Sequence, residues 1–150
     1  MSPTLGQRVE AAGDGGQVTF VTGGAAETVP WPRLHEEARA SAAGLQARGV
    51  EPGDHVAILG SSSRAVVTAV EATWLAGAAA VMLPLPLRLG SLDEFVGETR
   101  ARLGHADARL CLVDPLLAGV VGARVGQGPG DPALVCLDDV VPGAGEGAGD

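Results

Sequence analysis

The chain has no lysine, no asparagine and no tyrosine, so all of its basic side chains are arginine or histidine. Each absence excludes some chemistry. Without an ammonium group there is no Gly-Lys-Ser/Thr phosphate loop, whose lysine reaches the phosphates, and no Schiff-base nucleophile. Without a phenol there is no tyrosine acid or base. Aromatic residues make up 3% of the chain (Phe20, Trp31, Trp74 and Phe95), and Ile58 is the single isoleucine, so the core must be built from Ala, Val and Leu. Positive charge is also scarce: the formal net charge is −8. Nucleic acid is therefore not the expected partner, because affinity for it depends on neutralising phosphates with Lys and Arg. Cys111 and Cys136 are too far apart for a CxxC pair, and each sits in an apolar run, as buried free thiols of a reducing cytosol do. No basic segment followed by an apolar one opens the chain as a secretory signal would. The longest apolar stretch, Ala76 to Leu87, is short and broken by proline, so no membrane span is expected.

What is present reads as one domain of strands and helices in alternation. Residues 1–16 are small and polar and read as a flexible lead-in. Gln17–Thr22 and Ala25–Pro30 flank Gly23-Gly24, the pattern of a β-hairpin. Trp31-Pro32 opens a helix whose stripe is Leu34, Ala38, Ala42 and Leu45, and Gly49 stops it. His55–Leu59 follows a Pro-Gly-Asp turn and reads as a buried strand. Ser61-Ser62-Ser63 then cap a helix with Val66, Val67, Val70, Thr73, Trp74 and Gly77 on one side. Ala79–Leu83 is a strand stopped by Pro84 and Pro86. Ser91 and Glu94 frame a capping box before a helix bearing Leu92, Phe95, Val96, Thr99 and Leu103. Arg109–Val113 and Ala133–Leu137 read as strands, with a short helix over Leu116–Val121. Repeated strand-helix-strand units demand parallel pairing with right-handed crossovers. The expected fold is α/β, a mainly parallel sheet with flanking helices, preceded by a β-hairpin and a helix. The expected domain occupies residues 17–141, with a disordered acidic Gly/Ala linker over 142–150.

Few residues suggest a site. Gly60-Ser61-Ser62-Ser63-Arg64 offers backbone N–H groups, the hydroxyls of Ser62 and Ser63 and the Arg64 guanidinium to an anion; helix capping alone also explains serine there. His35, His55 and His105 are scattered, with no HxxxH or HExxH spacing for a metal. His105 at a helix C-terminus is favourable on dipole grounds. Asp93-Glu94 belong to a helix first turn, and Asp138-Asp139, read as strand residues, point to opposite faces. No serine lies in a GxSxG context. No catalytic residue and no metal ligand is assigned.

The order and spacing of several pieces carry a resemblance. These are the hairpin into Trp31-Pro32-Arg33-Leu34, the run Gly49-Val50-Glu51-Pro52-Gly53-Asp54-His55-Val56-Ala57-Ile58, then Gly77-Ala78 and Leu83-Pro84-Leu85-Pro86. To them are added Leu87-Arg88-Leu89-Gly90-Ser91-Leu92-Asp93-Glu94-Phe95, His105-Ala106-Asp107-Ala108 and Val113-Asp114-Pro115. Together they resemble the N-terminal portion of the adenylate-forming (AMP-binding) enzymes, most closely fatty-acyl-AMP ligases and long-chain acyl-CoA synthetases. The resemblance implies ATP- and Mg²⁺-dependent activation of a fatty acid to an acyl-adenylate, then transfer to a carrier-protein or coenzyme A thiol. It also implies a phosphate loop ending in Lys-Gly and a distant adenylation lysine, neither of which a chain without lysine can hold. The chain is therefore expected to be a structural part of such a ligase, cytoplasmic and inactive alone, with no cofactor of its own. Its expected partner is the remainder of the ligase lobe, and uncovered edges imply self-association. A free-standing interaction or regulatory module related to such ligases is the alternative, and an unrelated α/β nucleotide-binding domain using the Gly60–Arg64 turn is a third. The sequence departs from relatives at Pro30, where a Thr or Ser cap is usual and a proline cannot cap by its side chain.

Overall fold

The computed structural model describes residues 1–12, 15–86, 91–122, 124–126 and 128–142. The Leu87–Gly90 run of the resemblance and residues 143–150 of the expected linker lie outside them. In chain order the elements are α1 (Leu5–Ala11), β1 (Gln17–Thr22), β2 (Ala25–Pro30), α2 (Trp31–Ala47), β3 (His55–Leu59), α3 (Arg64–Leu75), β4 (Ala79–Met82), α4 (Leu92–His105), β5 (Ala108–Val113), α5 (Pro115–Val121) and β6 (Ala133–Cys136), closed by a 3₁₀ turn at Leu137–Asp139. β1 and β2 form a separate antiparallel hairpin. The other strands make one fully parallel sheet in the order β4-β3-β5-β6. The α/β architecture expected from the sequence is the one observed.

The central strands are apolar throughout because both faces of the sheet are covered. Strand alternation then divides the core in two. Val56 and Ile58 of β3 and Leu110 and Leu112 of β5 face α2 and α3, packing with Leu45, Ala69, Ala72 and Leu137. Ala57, Leu59, Cys111 and Val113 face α4 and α5, packing with Val96, Leu103 and Val121. The predicted α2 stripe is fully buried, as are Val96, Thr99 and Leu103 of α4.

Four details differ from the sequence reading. The lead-in over residues 1–16 holds α1, because Thr4 and Gln7 form a capping box and Gly6 lets the helix lie against the Trp74 backbone. The buried face of α3 is Val66, Thr68, Ala69, Glu71, Ala72 and Thr73, whereas Val67, Val70 and Trp74 are half-buried and Gly77 is exposed. That helix packs against α2, α1 and the sheet at once, so one apolar stripe underestimates what it covers. Asp138 and Asp139 lie in the 3₁₀ turn, not on a strand, since β6 ends at Cys136. At Ser91 the hydroxyl accepts the Glu94 N–H at 3.2 Å, which is the backbone half of the expected capping box. Pro30 makes no side-chain cap for α2, as expected.

Two positions give measurable consequences. Gly77 turns the chain from α3 into β4 at φ +79°, where a Cβ would stand 3.1 Å from Pro52. Gly77→Ala is expected to destabilise the fold by more than about 1 kcal/mol, since neither the backbone region nor the space suits a side chain. Urea titration measures this. Both cysteines are free, and burial pushes the Cys111 thiol up from 9.0 to about 12. Below pH 9 the thiol is protonated in folded and unfolded chains alike. Between pH 9 and about 12 only the unfolded chain ionises, so stability falls through that window. Cys111→Ala should flatten this part of the stability–pH curve relative to the parent.

Candidate functional site

The polar residues of the fold concentrate where the hairpin, α2 and the start of α3 meet. Ser63 is the N-cap of α3, its hydroxyl accepting the Val66 N–H at 3.2 Å. Arg64, the next residue, turns back to the hairpin and α2. Its Nη1 donates to Glu27 at 2.5 Å, its Nε donates to Glu37 Oε2 at 3.2 Å, and its Nη2 donates to Glu37 Oε1. Glu37 also accepts from Arg33 Nε at 3.3 Å, one helical turn away. The hydrogen bond to Glu37 raises the Arg64 guanidinium above its ordinary range, against the opposing effect of burial. Of the sequence-predicted anion group, the structure thus uses Ser63 as a cap and gives Arg64 two carboxylates as partners. Ser62 is exposed before the cap. An anion arriving here would meet a guanidinium already neutralised.

A second pair lies deeper. His35 Nδ1 hydrogen-bonds Glu71 Oε1 between α2 and α3, with the side chains 13% and 7% exposed. The His35 ring stacks on Trp31, centroids 5.8 Å apart. The outer atoms of the pair, His35 Nε2 and Glu71 Oε2, are buried without a protein partner. Sequence reading left His35 as one of three scattered histidines and did not find Glu71. The available signal was an acid in an otherwise apolar helix, which burial obliges to find a partner.

At the carboxyl ends of β3 and β5, Gly60 stands beside Asp114, whose N–H donates to Leu59 O at 2.9 Å. Sheet order reverses between these strands, the position at which open α/β sheets take ligands. Here the Asp114 carboxylate is used to cap α5 through the Leu116 N–H at 2.9 Å. His55 begins β3, and His105 Nδ1 lies 2.8 Å from the Ala101 carbonyl at the end of α4. Among the described residues no three His, Cys, Asp or Glu side chains gather as a metal would require.

Comparison with known proteins gives this arrangement its context. Residues 8–138 match the family described as AMP-binding enzyme. The chain belongs to that family. A Mycobacterium tuberculosis protein named as a ligase, Rv1013, is 32% identical over 91 residues, which is 60% of this chain and 17% of that one. A solved structure from work on the fatty acyl-adenylate ligases of E. coli and L. pneumophila superposes with a TM-score of 0.79 at 21% identity, over 96% of this chain and 27% of that one. The L. pneumophila fatty acyl-adenylate ligase in complex with acyl adenylate and pyrophosphate gives a TM-score of 0.71 at 21% identity, covering 91% and 24%. At such identity these likenesses establish the fold, here that of the N-terminal portion of adenylate-forming ligases. The chain spans about a sixth of the curated relative it matches and about a quarter of the solved structures.

The AMP-binding family implies ATP and Mg²⁺, and the residues described here do not fit either. Arg64 at the start of α3 is paired with two carboxylates, the carboxylate at the switch point is a helix cap, and the sequence contains no lysine. No adenylation step is therefore routed through these side chains. Among the described residues no helix is long and apolar enough to cross a membrane.

Proposed function

We propose that this chain is a scaffold segment of an ATP-dependent acyl-adenylating ligase, with no adenylation chemistry of its own. The observation that supports it is the family match over residues 8–138 together with a polar inventory already used for structure. In the parent reaction a fatty-acid carboxylate attacks the α-phosphate of ATP, forming an acyl-adenylate and releasing pyrophosphate; a carrier-protein or coenzyme A thiol then takes the acyl group and AMP leaves. The groups that bind ATP, Mg²⁺ and the acyl chain belong, on this reading, to the remainder of the lobe. This segment fixes the sheet against which that remainder packs. Ser62, Ser63 and Arg64 serve the α2–α3 junction and take no phosphate. Its setting is the cytoplasm, where ATP and the thiol acceptors are found.

The test is the mass of the endogenous polypeptide carrying this sequence, read by top-down mass spectrometry of the source cells. A mass several-fold above 14.9 kDa is expected. A mass near 14.9 kDa would contradict the reading and favour a free-standing interaction or regulatory module related to such ligases.

A further inference from the structure

We draw no further inference here: the strongest candidate, the His35–Glu71 side-chain pair buried between α2 and α3 with its outer atoms unpartnered, gathers no third ligating side chain among the described residues and lines no part of the groove beside α1 and β4, so nothing in the structure shows what would reach it.

Discussion

Ile58→Ala is expected to cost about 2–5 kcal/mol, enough to unfold a domain of ordinary stability. Ile58 is fully buried in the central strand β3, between α3 on one side and β4 and β5 on its edges. Its neighbours cannot close the space. Leu112 and Val56 are fixed by the ladders, and α3 faces the sheet here with Ala69 and Ala72, which have no length to extend into a void. A core built from Ala, Val and Leu with few aromatics has little redundancy, so the loss falls near the upper end of the range. Urea denaturation read by Trp fluorescence measures it, and a loss below about 1 kcal/mol would show that the core collapses into the gap.

The second large effect concerns Glu71. Removing one partner of a buried pair leaves the other desolvated and unmatched, at about 3–5 kcal/mol, whereas replacing both by apolar groups of similar size is often neutral or stabilising. Glu71→Leu alone should therefore destabilise strongly, because His35 then keeps a buried ring nitrogen without an acceptor. The double variant His35→Leu, Glu71→Leu should recover most of that loss, since it also removes the two outer atoms that have no protein partner. A double-mutant cycle by chemical denaturation separates the cases. Additive losses would mean the two side chains act independently, contrary to their hydrogen bond.

These two residues show what could and could not be read along the chain. Ile58 announces itself, since an apolar run after Pro-Gly-Asp is a buried strand, and alternation assigns Val56 and Ile58 to one face and Ala57 and Leu59 to the other. The parallel sheet, the α2 stripe and the Ser91 and Ser63 caps are equally local and were legible. Glu71 was not, because its partner is 36 residues away on another helix and nothing local marks the pairing. The same holds for Arg64, whose neighbours Ser61 to Ser63 suggest an anion while Glu27 and Glu37 are brought to it only by the folded hairpin and α2. α1 is a different case. Its signal, Thr4 followed three residues later by Gln7, is local, but a glycine within the turn reads as flexible until Gly6 is seen to be the close contact with α3.

The claim that this segment is scaffold without adenylation chemistry is tested most directly by ATP–pyrophosphate exchange. The purified 150-residue chain would be incubated with ATP, Mg²⁺, labelled pyrophosphate and fatty acids of several lengths. No exchange above a protein-free control is predicted, for any acid. Fatty-acid-dependent incorporation of label into ATP, abolished by Arg64→Ala, would contradict the account and return the α3 start to consideration as a phosphate site.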